Sequence, residues 1–300
     1  MSAKTIKQAA EKGDAAAQFK LGLMYANGRG VAQDFKQALI WYRKSAEQGY
    51  AEAQYLLGTK YAKGQGVPKD QAEAEYWLLQ AAESGHVKAQ VRLADIFDAN
   101  GSAIWKHNAA MWYRKAAEHG DPKGQWKLGL MHARGDGMKQ DLHEAVSWFR
   151  KAAEQGFAAA QSHLGLLYAQ GMGVKQNFKQ AGNWWAKAAE QGDPEAQYNL
   201  GVLYAKGQGV IQDYELSFKW MAQAAEQGIV DAQARLGLMY AQGQGVAPDH
   251  VEAHRWFNIA SANGHPGSVT NRELAEKMMS PAQVMEAQRR AREWMQSREA

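Results

Sequence analysis

Apolar and small residues return along this chain at helical spacing, and the pattern they make returns as a whole. Between residues 14 and 49, Ala17, Gln18, Leu21, Gly22 and Tyr25 form one stripe, and Ala38, Trp41, Tyr42, Ser45, Ala46 and Gly49 form a second. Steps of three and four residues place each set on one face of an α-helix. The Gly28-Arg29-Gly30-Val31 run between them predicts a tight turn. The glutamine of the first stripe recurs as Gln54, Gln90, Gln125, Gln161, Gln197 and Gln233, at steps of 36 residues with one step of 35. A fixed period of that length predicts a solenoid of seven helix pairs, each burying its faces against its neighbours.

Helix ends are marked as clearly as helix faces. Asp34 with Gln37, Asp70 with Glu73, Asp141 with Glu144, Asn177 with Gln180 and Asp249 with Glu252 predict capping boxes before the second helices, whereas Asp213 lacks the third-position partner. Asp121-Pro122 and Asp193-Pro194 set a cap residue and a first-turn proline before two of the first helices. Gly49, Gly85, Gly120, Gly156, Gly192, Gly228 and Gly264 are placed to end the second helices. Gly22, Gly58, Gly129, Gly165, Gly201 and Gly237 sit in mid-helix, where glycine costs about 0.5–1 kcal/mol against alanine, so a large ring is expected close by. The tryptophan of each second helix, Trp41, Trp77, Trp112, Trp148, Trp184, Trp220 or Trp256, is the expected ring.

With these residues in place the chain resembles the Sel1-like repeat family, relatives of the tetratricopeptide repeats, over Asp14 to Gly264. The segments Arg272-Glu273-Leu274-Ala275, Met278-Met279-Ser280-Pro281 and Arg292-Glu293-Trp294 resemble the end of bacterial members, and imply a capping helix pair with Ser280 as N-cap. The expected organisation is a helical lead-in at 1–13, seven repeats at 14–264 and capping helices at 265–300, in an all-α, right-handed solenoid. The resemblance implies a protein-binding module without catalysis or cofactor, acting as adaptor, regulatory inhibitor or immunity protein. Cysteine-rich relatives imply the alternative, a binder or hydrolase of cell-wall fragments or β-lactams. A structural spacer with no specific partner is a third class.

Composition narrows these classes only modestly. The net charge of +4 is mild for 300 residues, and no Lys/Arg run forms a nucleic-acid or membrane-anchoring patch. No stretch approaches the ~18 apolar residues of a membrane-spanning helix, so no insertion is expected. The absence of cysteine excludes the disulfide-tied branch and leaves the compartment open. Residues 1–12 are polar and helical, with no signal-peptide core. A periplasmic or secreted protein would need a removed leader; otherwise the cytoplasm is expected. A monomer is expected.

Candidate chemistry is sparse. The recurrent Gly-x-Gly-Val at Gly28, Gly64, Gly171, Gly207 and Gly243 is expected to be a structural turn, since it returns once per unit. His250 and His254 stand at i and i+4, but Val251 occupies the place where a zinc-protease motif needs Glu, so surface histidines and no metal are expected. His132 takes the tyrosine slot of its repeat and is expected in the core. The recurrent glutamines are expected to tie neighbouring segments by buried amide hydrogen bonds.

A partner should bind where the repeats differ. In related repeats the first helices line the concave side, and their non-core positions here hold Phe19, Lys20, Tyr55, Lys63, Arg92, Trp126, Lys127, Arg134, His163, Tyr198, Asn199, Lys206 and Arg235. The mixture of aromatic and basic side chains suits a protein or peptide carrying acidic and apolar groups. Equally, the rings fill gaps between repeats and the cations are solvated. Repeat three lacks the Gly-x-Gly-Val turn and reads Asp98-Ala99-Asn100-Gly101-Ser102-Ala103-Ile104-Trp105, with Trp105 where a capping Asp is expected. A bend, a binding loop anchored by Trp105, and simple degeneration remain open there.

Overall fold

The computed structural model describes residues 2–298, which hold seventeen α-helices and no strand. A short helix α1 (Ala3–Glu11) leads in. The first helices of the repeats are α2 (Ala15–Asn27), α4 (Ala51–Lys63), α6 (Val87–Asn100), α8 (Pro122–Arg134), α10 (Ala158–Gln170), α12 (Pro194–Lys206) and α14 (Val230–Gln242). Their second helices are α3 (Phe35–Glu47), α5 (Gln71–Glu83), α7 (Ala103–Glu118), α9 (Leu142–Glu154), α11 (Phe178–Glu190), α13 (Tyr214–Glu226) and α15 (His250–Ala262). Two further helices, α16 (Ser268–Glu276) and α17 (Pro281–Gln296), follow. Residue 1 of the expected lead-in and residues 299 and 300 of the expected cap lie outside the described residues.

The chain divides into two compact units, Met1–Trp148 and Phe149–Ala300. In the first unit α1 to α8 pack each on the next. In the second, α10 to α15 do the same, and α15 packs against both α16 and α17. This is the all-α solenoid of helix pairs that the period predicts.

The recurrent glutamine is a buried tie. Gln18, Gln54, Gln90, Gln125, Gln161, Gln197 and Gln233 are all 5% exposed or less. Each Nε2 donates to an alanine carbonyl eight residues earlier, from Gln18 to Ala10 through Gln233 to Ala225, at 3.0–3.2 Å. That carbonyl lies at the end of the preceding helix and has no partner within it. Where the second helix ends in a long amide, the glutamine oxygen is satisfied too: Gln48, Gln191, Gln227 and Asn263 donate to Gln18, Gln161, Gln197 and Gln233 at 2.7–3.0 Å. Ser84 and His119 stand at the corresponding places in repeats two and three, and the buried Oε1 atoms of Gln54 and Gln90 have no partner. Ala10 serves Gln18 as the end of each second helix serves the glutamine of the following repeat, so α1 packs in the place of a second helix.

The mid-helix glycines face a ring or chain end one residue beyond the expected tryptophan. A Cβ on Gly22 would stand 2.7 Å from the Tyr42 ring, on Gly58 2.7 Å from Leu78, on Gly165 2.6 Å from Trp185 and on Gly237 2.6 Å from Phe257. The expectation of Trp41 and its equivalents is corrected: consecutive helical residues point about 100° apart, and the second-helix stripe is wide enough to hold both. Trp41 and Trp184 instead lie half-buried under a cation, with Lys44 and Lys187 each 4.5 Å from the ring centroid, while Trp112 is buried in the core with Lys115 4.1 Å above it.

Capping follows the sequence in part. Asp34, Asp70, Asp141 and Asp249 each accept two backbone amides of the following turn, and Asn177 and Asp213 one each. The expected return bonds are diverted in two cases: Glu73 accepts from Trp77 Nε1, and Glu252 pairs with Arg255 and Arg290. Ser280 and Gln283 close a full capping box at the start of α17. That helix covers the end of the second unit. Ala287 and Ala291 are fully buried, and Trp294 meets the Trp256 ring at 5.8 Å while its Nε1 donates to Glu226.

Repeat three has no loop to present. The helix α6 runs on to Asn100, Gly101 takes a left-handed φ of 79°, and α7 starts at Ala103. Trp105 therefore sits in the first turn of α7, 36% exposed, with its ring 4.9 Å from Phe97. The missing residue is absorbed by lengthening both helices.

Candidate protein-binding surface

In the first unit the first helices build a groove from side chains that vary between repeats. A depression of about 550 Å³ is lined by Phe19 and Leu23 of α2, by Glu52, Tyr55 and Leu56 of α4, and by Gly85, His86, Val87 and Lys88. A second, of about 230 Å³, shares Tyr55 and Lys88 and continues over Val91, Arg92, Asp95, Asp121 and Lys123. The floor is aromatic and aliphatic because these positions lie beside the core stripe of their helices. Tyr55 stacks on His86 at 4.5 Å, and His86 caps α6 by accepting the Ala89 amide at Nδ1. Burial pushes the His86 pKa below its ordinary 6.5, against the opposing pull of Glu52. Its ring is therefore neutral at neutral pH, and the charge of the groove comes from lysine, arginine and carboxylates.

The structure sorts the expected contact residues. Phe19, Tyr55 and Arg92 line the groove, with Lys20 exposed beside Phe19. Phe19 also fills space between repeats, 5.8 Å from Tyr42 and 5.3 Å from Tyr50. Lys127 is committed to the fold, pairing with Asp98 at 3.3 Å and lying 5.5 Å from the Trp126 centroid. Lys123 likewise pairs with Asp95 at 2.6 Å, and Asp95 accepts the Tyr113 hydroxyl. The face is thus less basic than its residues suggest, because α6 supplies acids. Among the described residues, no ion pair engages Lys20, Lys88 or Arg92. Lys63 and Arg134 lie outside the groove in the last turns of α4 and α8, where the helix dipole favours a cation.

In the second unit, Tyr198 and Arg235 form one element: Arg235 Nε donates to the Tyr198 hydroxyl at 3.2 Å and its guanidinium lies 5.8 Å from the ring. His163 folds back on α10, where Nδ1 donates to the Ala159 carbonyl at 2.7 Å and the ring packs 5.4 Å from Phe149. Asn199 is half-buried beside Tyr198, and Lys206 is exposed in the last turn of α12. Leu23, Glu52, His86 and Lys88 escaped the sequence analysis. Leu23 and Lys88 are exposed variable positions of α2 and α6, a signal the repeat alignment already carried.

Two of the remaining histidines are buried in the packing. His254 is not at the surface: it is fully buried, with Nε2 2.8 Å from Glu276 Oε1 of α16. His132 is 8% exposed and faces Arg114 at 3.5 Å, the place where Arg150 meets the Tyr168 hydroxyl one repeat later. Burial and the Arg114 charge hold its pKa below the ordinary value. Among the described residues, no group of three or more His, Asp or Glu side chains could hold a metal ion, and no helix is long and apolar enough to cross a membrane.

The Sel1 repeat model matches seven consecutive segments, 15–50, 51–86, 87–121, 122–157, 158–193, 194–229 and 230–265. A Sel1 repeat protein from Oxalobacter formigenes of known structure is 35% identical, with a TM-score of 0.71 over 89% of this chain and 78% of that one. The protective antigen c5321 of uropathogenic Escherichia coli, with an SLR fold, is 26% identical over 99% of this chain and 95% of that one, with a TM-score of 0.40. The immunity protein Pa5087 of Pseudomonas aeruginosa is 19% identical over 71% of this chain and 81% of that one, with a TM-score of 0.39. Among curated proteins none matches.

Proposed function

The chain belongs to the Sel1-repeat family, and from that premise we propose that it is a non-catalytic protein-interaction module. Its first-helix groove in residues 1–148 receives a partner segment that carries apolar and acidic side chains. The observation that carries this reading is the pairing of an apolar floor, formed by Phe19, Leu23, Tyr55 and Val91, with the cations of Lys20, Lys88 and Arg92, which no carboxylate among the described residues engages. Aromatic and arginine side chains supply most of the energy of a typical interface, and unpaired cations at its rim speed association with an acidic partner. Tyr198 and Arg235 form a second contact element in the other unit. Adaptor, inhibitor and immunity roles all require such a face.

Affinity capture with the wild-type chain and with a Lys20→Glu, Lys88→Glu, Arg92→Glu variant tests the reading. The substituted residues are exposed, so the variant should keep the circular dichroism spectrum of the wild type. A partner held by the wild type at low salt and lost both from the variant and at high ionic strength is the expected result. A partner retained equally by both chains would place the interface elsewhere.

A further inference from the structure

The junction between repeats one and two is built differently from the others. The position two residues after the mid-helix glycine faces the preceding second helix, as Leu203 of α12 does at Gly182 of α11. Apolar side chains fill it in later repeats: Met131, Leu167, Leu203 and Met239 are 2–6% exposed. In repeat two the same position is Lys60. The turn that follows also stands off. In repeats four, six and seven the second glycine of the turn presses on the preceding second helix, so that a Cβ on Gly137 would lie 2.5 Å from the Lys106 backbone, one on Gly209 2.5 Å from the Phe178 backbone and one on Gly245 closer still to the Tyr214 carbonyl. A Cβ on Gly66 would meet only the end of Leu39, at 3.6 Å.

The two departures leave an opening of about 320 Å³ lined by Phe35, Ala38, Leu39, Lys60, Gln65 and Gly66. It shares no lining residue with the first-helix groove and is independent of the proposed function. Its walls are apolar, and Phe35 leaves 56% of its surface uncovered. The Lys60 ammonium, 6.0 Å from the Tyr42 ring centroid, has no carboxylate partner among the described residues. A cation held against apolar walls without a counter-charge is incompletely compensated.

We infer that this opening is a binding site for a small carboxylate with an aromatic or branched aliphatic body, the carboxylate pairing with Lys60 and the body covering Phe35, Ala38 and Leu39. The size lies at the lower end of small-ligand sites, and the combination of apolar lining with one fixed charge is their usual chemistry.

Saturation-transfer NMR titrations with 3-phenylpropanoate and, in parallel, with uncharged 3-phenylpropan-1-ol test the site on the full chain. The wild type should bind the acid with a Kd of about 1 mM or tighter, the order expected for so few atoms, and the alcohol at least tenfold more weakly. Lys60→Leu restores the residue of repeats five and six, so the variant should melt higher than the wild type while losing the acid at least tenfold. Lys60→Gln should keep the opening and lose the preference for acid over alcohol. Equal binding of acid and alcohol, unchanged binding by the Lys60→Leu chain, or no saturable binding up to about 10 mM would each overturn the inference.

Discussion

A glutamine removed from water must find partners for both ends of its amide, and in this chain the partners come from fixed distances along the sequence. The Nε2 end is always satisfied by the alanine carbonyl eight residues back; the Oε1 end depends on whether the second helix of the same repeat ends in an amide. Ser84 is too short to reach Gln54, whose oxygen is left buried without a partner. Ser84→Gln should therefore stabilise the chain by about 1 kcal/mol, the usual value of a hydrogen bond that satisfies a buried acceptor, and urea unfolding measures it. No gain would mean that an ordered water already serves that oxygen. The recurrence of glutamine announced a buried tie, since an amide kept in the same register of an apolar stripe needs internal partners. Its acceptor was not legible, because a carbonyl at the end of the previous helix is set by how the repeats stack. The neighbour of the mid-helix glycines was misread for a related reason: Trp41 and Tyr42 both belong to the apolar stripe, and the packing angle decides which one meets Gly22.

Elements, by contrast, were largely written in the chain. Start and stop residues predicted the paired helices, and Asp34, Asp70, Asp141, Asn177, Asp213 and Asp249 cap where expected. Repeat three was the exception, since the loss of the turn motif was compatible with a loop, whereas helix extension at both sides satisfies more backbone groups than a loop would. The turns that remain are not equivalent. Gly66 and Gly137 have similar left-handed conformations, φ 78° and 69°, so a substituted alanine pays the same intrinsic strain at both, roughly 1–2 kcal/mol. Only at Gly137 would the new Cβ collide with the backbone of Lys106 and His107, at 2.5–2.6 Å. Gly137→Ala should lower the midpoint of thermal unfolding clearly more than Gly66→Ala does. Equal losses would show that the turn at Gly66 sits as tightly on its neighbour as the others do. The candidate surface was legible only halfway: variable first-helix positions pointed to Phe19, Tyr55 and Arg92, while the acids of α6 that neutralise Lys123 and Lys127 lie a repeat away and emerge only from packing.

At the scale of the whole molecule, a stack of repeats exposes an apolar face wherever no neighbour covers it. The helix α1 supplies Ala10 to Gln18, and α17 lays Ala287, Ala291 and Trp294 over the second unit. Ending the chain before Ser280 would uncover Trp256 and Ile259, now 3% and 0% exposed. Each large apolar side chain returned to water costs about 1.5–3 kcal/mol, so the shortened chain should lose roughly 3 kcal/mol or more, with red-shifted tryptophan emission and a lower melting temperature. An unchanged melting curve would remove α17 from the stability of the last repeat. The fixed sequence offsets of the glutamine ties bear on inheritance as well as on folding. A duplicated stretch of one period arrives carrying both its own donor and the carbonyl its successor will need. Copy number can therefore drift by unequal crossing-over without a compensating substitution, whereas an insertion or deletion inside the eight-residue interval would orphan a buried amide.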